Sequence, residues 1–193
     1  MLGKYSVLQQ ISIGEKTIAL CEDSEESTEA EKYYCCYLDA NEILIIVSDA
    51  QKCSSYAQAV KMYGDRISEA AAEVLNEYEL EAALIAETPD VQLTEANCRP
   101  ITPEDCLVNR VVVIRGNRLR PEYRRPAYQL MLCTGGSGAV SNNMGRTCFG
   151  KSLITGSPLS FYRTELLGIL EESQIPEWAR PQVEEARSKI EKW

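Results

Sequence analysis

The stretch 56-YAQAVKMYGDRISEAAAEVLNEYELE-81 decides the fold, because it predicts one long helix between two β-rich regions. Ser54 or Ser55 can cap this helix, since a serine hydroxyl accepts a hydrogen bond from a free amide of the first turn. Apolar residues recur at spacings of three and four, which predicts one face packed on a sheet. That predicted face comprises Tyr56, Val60, Tyr63, Ile67, Ala70, Val74 and Tyr78. Residues 82–87 either extend the helix or form a short strand.

Four short strands are predicted before the helix. They cover residues 5–12, 16–21, 33–38 and 42–48. Gly14 and Glu15 form a hairpin turn between the first two strands, and the apolar run of the fourth indicates a central strand. Residues 22–31 contain six acids and predict a charged loop. The N-terminal region is therefore expected to be an antiparallel meander.

The second half of the chain is predicted to be mostly β. Its strands are expected at residues 108–116, 127–133, 146–155 and 159–163. The sequence Gly156-Ser157-Pro158 predicts a hairpin turn between the last two. Thr164 is expected to cap a short helix over residues 164–172. A final helix has the apolar face Val183, Ala186, Ile190 and Trp193.

These elements predict an α+β fold with two regions. An N-terminal antiparallel meander packs on one long helix, and a small bent β-sheet or barrel follows with short closing helices. Three prolines, Pro89, Pro100 and Pro103, mark a linker over residues 89–107. The expected organisation is an acidic α+β region at 1–88, this linker, and a β-rich module at 108–193.

The chain contains eight cysteines and no histidine. Without histidine, the chain has no Ser-His or Cys-His pair for nucleophilic catalysis. This excludes many hydrolases, and we expect a non-enzymatic protein. No apolar run approaches the ~20 residues of a membrane span, and the first residues lack the pattern of a signal peptide. We therefore expect a cytoplasmic protein without a membrane partner, whose thiols are reduced.

A structural zinc ion is one possible role for the cysteines. No C-x-x-C pair occurs, so a zinc site would have to be assembled from distant positions. The best candidate set is Cys98, Cys106, Cys133 and Cys148. The other interpretation is that the cysteines are buried thiols that pack as small apolar residues. The expected cofactor is therefore either none or a structural zinc.

The net charge of −9 is unevenly distributed. Residues 1–98 carry 19 acids and 6 bases, whereas residues 99–193 carry 10 acids and 14 bases. An acidic surface repels nucleic acid and attracts basic protein surfaces. The first half is therefore expected to face a basic partner, and direct binding of nucleic acid by the whole chain is disfavoured.

Within the long helix, acids follow one another at a constant spacing of four. They are Asp65, Glu69, Glu73, Glu77 and Glu81. Each step rises ~6 Å, close to the ~6–7 Å between phosphates of a nucleic-acid strand. One interpretation is a solvated face, on which Arg66 is near enough in sequence to reduce the repulsion between the carboxylates. The other is a row that mimics phosphates and occupies the nucleic-acid channel of another protein. Glu25 and Glu26 of the acidic loop would extend the second kind of surface.

An arginine-rich segment provides an alternative site. It contains Arg115, Arg118, Arg120, Arg124 and Arg125, with Tyr123 among them. Arginine binds phosphate or carboxylate in a bidentate manner, and aromatic residues stack on bases. The segment is therefore either a nucleic-acid face or the outer face of edge strands paired with carboxylates.

The glycine-rich stretch 133–150 does not match a phosphate-binding loop. Such loops lie between a strand and a helix, whereas here the next predicted element is another strand. A wide connection between two strands is the better interpretation.

The same region resembles a module of small proteins of unknown function. The residues that carry the resemblance are 119-LRPEYRRPAYQLMLCTGGSGA-139, Gly145-Arg146, Thr155-Gly156, Arg163, Leu167-Gly168 and 176-PEWA-179. The resemblance covers residues 90–180 and implies an accessory protein of a bacteriophage or conjugative element.

Small acidic proteins of such elements are often counter-defence factors, and anti-CRISPR proteins are similar in size and charge. The expected function is therefore inhibition of a host defence protein, most specifically a Cas9-type nuclease in a bacterial cytoplasm. The alternative is a nucleic-acid-binding accessory protein that uses the arginine-rich segment.

Overall fold

The computed structural model describes residues 5–26, 28–40, 45–85, 92–143 and 145–190. The chain divides into two compact units, Met1–Glu79 and Leu80–Trp193. Each unit has its own antiparallel sheet, and a long helix packs on the first sheet. The predicted α+β class is confirmed.

The first unit is a four-stranded antiparallel meander in the order β1-β2-β3-β4. Its strands are β1 (Tyr5–Ile13), β2 (Lys16–Asp23), β3 (Tyr33–Ala40) and β4 (Ile45–Cys53). A short helix, α1 (Glu29–Lys32), lies in the connection between β2 and β3. The expectation of a central strand at 42–48 was wrong, because β4 is an edge strand whose Ile46 and Val47 are exposed.

The long helix is α2 (Tyr56–Ile85), as the periodicity predicted. Its Ala59, Tyr63 and Ala70 form a core with Ile18 and Leu20 of the sheet. Tyr56 packs edge-on against Tyr33 of β3, with ring centroids 5.3 Å apart, although 45% of it is exposed. Val60 was wrongly placed in this buried face, since it is exposed. A helix turns about 100° per residue, so Val60 lies to one side of the line through Ala59 and Tyr63.

The second unit contains a five-stranded antiparallel sheet in the order β8-β7-β6-β5-β9. Its strands are β5 (Val111–Ile114), β6 (Leu130–Gly135), β7 (Thr147–Ser152), β8 (Pro158–Tyr162) and β9 (Leu166–Ile169). All four residues of β5 are buried. Because strand side chains alternate, Val111 and Val113 enter one core cluster, and Val112 and Ile114 enter another.

The helix expected over residues 164–172 was wrong. A single 3-10 turn, Arg163–Glu165, leads into β9, which pairs with β5. Leu166, Gly168 and Ile169 of β9 are buried. The open edge of β5 supplies hydrogen bonds and apolar contacts that outweigh the local helical propensity.

Two further segments complete the second unit. The helix α3 (Arg180–Ile190) follows the sheet, and its Val183 joins the same core cluster as Val111. Within the range 89–107, residues 92–107 pack on the second unit, where Arg99 forms a β-bridge with Ile169 and Leu107 is fully buried. Residues 89–91 and Trp193 lie outside the described residues.

Two glycine substitutions test this packing in opposite directions. Gly64 lies within α2 with no neighbour near its missing Cβ, so Gly64→Ala should stabilise the first unit by about 0.5–1 kcal/mol. A Cβ at Gly168 would lie 2.5 Å from the Arg99 carbonyl oxygen and 2.5 Å from Cys98 Sγ. Gly168→Ala should therefore destabilise the second unit by about 1–3 kcal/mol.

Urea unfolding separates the two effects. Far-UV circular dichroism at 222 nm mainly reports α2, whereas Trp178 and Trp193 both belong to the second unit. Gly64→Ala should move the dichroism transition upward, and Gly168→Ala should move the fluorescence transition downward. A neutral Gly168→Ala would contradict the close approach of β9 to Arg99.

Candidate functional site

The acidic row of α2 does not lie along one face of the helix. A spacing of four advances the direction by about 40° per step, so Asp65 and Glu81 point about 160° apart. Asp65, Glu69, Glu73 and Glu77 are exposed. Glu81 is only 8% exposed.

Glu81 is therefore not part of an exposed binding surface, and its predicted role was wrong. The hydroxyl of Tyr128 donates a hydrogen bond to its carboxylate, and the Tyr128 ring packs against Tyr123 with centroids 4.9 Å apart. Both tyrosines belong to the second unit together with Glu81. This carboxylate stabilises the fold.

Two of the four exposed acids are neutralised by lysines. Lys61 Nζ lies 2.7 Å from Asp65 Oδ2, and Lys16 Nζ of β2 lies 2.7 Å from Glu73 Oε1. The hydrogen bond from Lys16 to Glu73 raises the pKa of the Lys16 ammonium group, and the charge of Glu69 adds to the effect. Within the described residues, no salt bridge involves Glu69 or Glu77.

Arg66 does not relieve the acidic row, although it is adjacent in sequence. It is buried beneath α2, where its Nη2 donates to the backbone oxygen of Asp49 at 2.9 Å and to Asp49 Oδ2 at 2.7 Å. Its guanidinium carbon lies 4.6 Å from the centre of the Tyr37 ring. Helical rotation directs Arg66 toward the sheet, so its charge is used in the core.

The acidic loop contributes less free charge than its composition implies. Glu25 is exposed, whereas Glu26 is half-buried and its carboxylate accepts a hydrogen bond from the Thr28 amide at 2.8 Å. Two lysines offset neighbouring acids: Lys32 pairs with Glu22 at 2.9 Å, and Lys52 pairs with Glu31 at 3.5 Å.

The excess negative charge belongs to the first unit. Met1–Glu79 contains 15 acids and 6 bases, whereas Leu80–Trp193 contains 14 of each. Within the described residues of this unit, the exposed acids without a salt-bridge partner include Glu69, Glu77 and Glu79 of α2, together with Glu15, Glu25 and Asp39. The structure thus reduces the predicted acidic surface to the exposed side of this helix, with Glu25 as a further exposed acid.

The arginine-rich segment is not a strand. Residues 115–125 form two 3-10 turns, Gly116–Arg118 and Pro121–Tyr123, that follow the central strand β5. Arg115 lies 3.7 Å from Glu95, and Arg118 lies 3.6 Å from Glu165. The interpretation of these arginines as the outer face of edge strands was therefore wrong, although their pairing with carboxylates is observed.

The other three arginines of the segment also have partners. Arg124 Nε donates to the backbone oxygen of Leu119 at 3.1 Å, and Arg120 and Arg125 take part in interactions as well. A nucleic-acid face built from this segment stays a prediction.

The four cysteines of the candidate zinc set are not brought together. Cys98 belongs to the core cluster on one side of the second sheet, and Cys133 and Cys148 belong to the cluster on the other side. Cys106 is exposed. Among the described residues, no group of three or more Cys, Asp or Glu side chains could hold a metal ion.

The buried thiols form two close pairs. Cys21 Sγ lies 3.9 Å from Cys36 Sγ in the first unit, and Cys133 contacts Cys148 in the second. The hydrogen bond within each pair, followed by burial, raises the pKa of Cys36 and of Cys133. A neutral buried thiol packs as a small apolar group and is a poor nucleophile.

Thiol labelling tests this arrangement. In the native protein, Ellman's reagent should react rapidly with one thiol, Cys106, because the other seven cysteines are buried. All eight should react after unfolding in guanidinium chloride. Cys106→Ser should abolish the rapid reaction, and a second rapidly reacting thiol in that variant would contradict the burial.

A cavity in the second unit was not predicted from the sequence. Its walls are held by Arg163, whose guanidinium donates to the backbone oxygens of Thr102, Asp105 and Gly138 at 2.7, 2.9 and 2.5 Å. Arg163 was among the residues of the resemblance, but a lone arginine gives no signal that it will bind three carbonyls. The contacts depend on tertiary structure.

The Asp105 carboxylate also fixes the backbone at Thr102, whose carbonyl oxygen Arg163 binds. This carboxylate accepts hydrogen bonds from both terminal nitrogens of Arg99 at 2.7 and 3.0 Å and from the Thr102 amide at 2.7 Å. The Arg99 hydrogen bonds, followed by the Thr102 amide, hold the pKa of Asp105 well below its ordinary value.

Asp105→Asn should lower the free energy of unfolding by about 2 kcal/mol at pH 7, because charge-assisted hydrogen bonds are lost. Since the folded pKa is depressed, the stabilisation is present above the unfolded pKa of about 3.9 and declines as the pH falls further. Urea unfolding followed by tryptophan fluorescence should therefore show a smaller difference at pH 3 than at pH 7. Glu104→Gln, which changes an exposed carboxylate, is the control. An equal loss of stability in Asp105→Asn at pH 3 and at pH 7 would contradict the stabilising role of the Asp105 carboxylate.

No protein-family model, curated protein or solved structure matches the chain. Within the described residues, no helix combines the length and apolar character required to span a bilayer.

Proposed function

We propose that this protein is a non-enzymatic counter-defence inhibitor that binds through the acidic side of α2, the surface that carries Glu69, Glu73 and Glu77. Its partner is a protein with a basic nucleic-acid-binding groove, most specifically a Cas9-type nuclease of the host cell. The carboxylates occupy positions that phosphates of the nucleic acid would otherwise take, and loading of the nucleic acid is blocked. Inhibition by occupancy needs no catalytic group, which suits a chain without histidine.

The observation that carries the proposal is a group of three exposed acids without a salt-bridge partner in the described part of α2, namely Glu69, Glu77 and Glu79. Glu69 and Glu77 are eight residues apart, which corresponds to about 12 Å along the axis. Glu73 lies between them and is already paired with Lys16. Unpaired surface charge of one sign accelerates association with a surface of opposite sign.

Exposed apolar residues on the same helix support a protein partner. Tyr56, Val60 and Leu75 are exposed, and Leu75 is 60% exposed. Charge complementarity mainly provides orientation and association rate, whereas apolar and aromatic anchors provide much of the affinity. Helical rotation places Val60 about 180° and Leu75 about 120° from Glu69, so a groove that contacts both kinds of residue must enclose the helix.

Charge reversal tests the proposal. The double variant Glu69→Lys/Glu77→Lys should raise the concentration needed for half-inhibition at least tenfold, because two favourable contacts become repulsive. The measurement is a titration into target-DNA cleavage by a Cas9-type nuclease preloaded with guide RNA. Glu73 is left unchanged so that its contact with Lys16 is retained.

The matched control is Glu104→Lys/Glu184→Lys, which changes the net charge equally at exposed positions of the second unit. It should inhibit as well as the unaltered protein. Equal potency of all three proteins would refute the role of α2. A salt-sensitive mobility shift with DNA alone, lost in Arg120→Gln/Arg125→Gln, would instead favour the arginine-rich segment.

A further inference from the structure

We propose that the second unit contains a binding site for a small organic acid with an apolar body and a single negative charge. The site is a cavity of about 630 Å³, lined in part by Ile101, Arg115, Asn142, Thr164, Leu166 and Leu167. Cavities of about 300–1,000 Å³ with apolar walls and few polar groups are typical of small-molecule sites. The inference is independent of the acidic side of α2.

The cavity is held open by contacts already present in the protein. Arg163 connects the backbone at Thr102, Asp105 and Gly138, and the Asn142 amide donates to the Pro103 oxygen at 2.8 Å. These bonds fix two walls before any ligand arrives. A preformed site does not lose binding free energy to the ordering of its loops.

Part of the cavity lining is apolar. Leu166 is buried, and Ile101 and Leu167 are partly exposed. Val140, at 46% exposure, also lines the cavity. Covering these side chains contributes about 25 cal/mol for each Å² of apolar surface removed from water, so the body of the ligand should be apolar.

Arg115 provides the group that recognises the acid. Its Nε donates to the Thr164 carbonyl oxygen at 3.3 Å, which orients the guanidinium plane. Its Nη1 lies 3.7 Å from Glu95 Oε1, and the Glu95 side chain is 77% exposed. Exposed pairs of this length contribute little net free energy, so a ligand carboxylate can readily replace Glu95.

Glu95 also limits the charge of the ligand. Its carboxylate lines the same cavity and would repel a second negative group. A planar carboxylate or sulfonate matches the paired nitrogens of a guanidinium. The chemistry of the site therefore favours a monoanion over a dianion or a cation.

The test uses two fluorescent probes with the same aromatic body. 1-Anilinonaphthalene-8-sulfonate carries one negative charge, and N-phenyl-1-naphthylamine is its neutral counterpart. Both probes should bind the full chain at one site, and the anionic probe should bind more tightly. Val140→Trp should remove that binding, because Val140 lines the cavity and the larger indole would occupy it. Loss of the site in Val140→Trp assigns the fluorescence to this cavity.

Arg115→Gln should weaken binding of the anionic probe about tenfold while binding of the neutral probe is retained. Glu95→Gln should strengthen the anionic probe, since its competitor for Arg115 is neutralised. Arg118→Gln removes an equal charge outside the cavity lining and should change neither probe. The proposal would be overturned by absence of binding or by binding that survives Val140→Trp. It would also be overturned if the anionic probe bound Arg115→Gln as tightly as the unaltered protein.

Discussion

Burial of β5 on both faces is the constraint on which the second unit depends. A strand covered on both sides needs a separate apolar layer for each face, and Val111–Ile114 supply side chains to two core clusters. One layer is built with Ala179 and Val183, and the other with Leu107 and Ala139. The cavity is lined in part by Leu166 and Leu167 of the edge strand β9, and the arginine-rich turns follow the end of β5.

The same constraint explains why the four candidate zinc ligands do not lie together. Cys98 and Cys133 are both buried, but they belong to clusters on opposite faces of one sheet. Spacing along the chain does not reveal on which face of a sheet a residue falls. The sequence therefore justified a four-cysteine candidate set that the topology separates.

In the first unit, helical geometry determines which side chains are buried and which are exposed. The rotation of α2 turns Arg66 toward the sheet and leaves Glu69 and Glu77 exposed. Periodicity predicted the helix and the meander, because a period of 3.6 or 2 is a local property of the sequence. The pairing of Glu73 with Lys16 joins positions 57 residues apart and could not be predicted from local spacing.

Errors in the predicted elements have the same origin. The helix expected over 164–172 ignored the free edge of β5, which only the assembled sheet reveals. Val60 was assigned to the buried face because it fits the spacing, yet the sheet packs against the line through Ala59 and Ala70. Local patterns thus identified most elements, whereas the site depended on contacts between distant residues.

The most direct test of the central claim is hydrogen–deuterium exchange of this protein with and without a Cas9-type nuclease. Binding through α2 predicts slower exchange over residues 61–79 on complex formation, and unchanged exchange in the arginine-rich turns at 115–125. Slower exchange confined to 115–125, or no difference anywhere in α2, would contradict an inhibitor that acts through the acidic side of this helix.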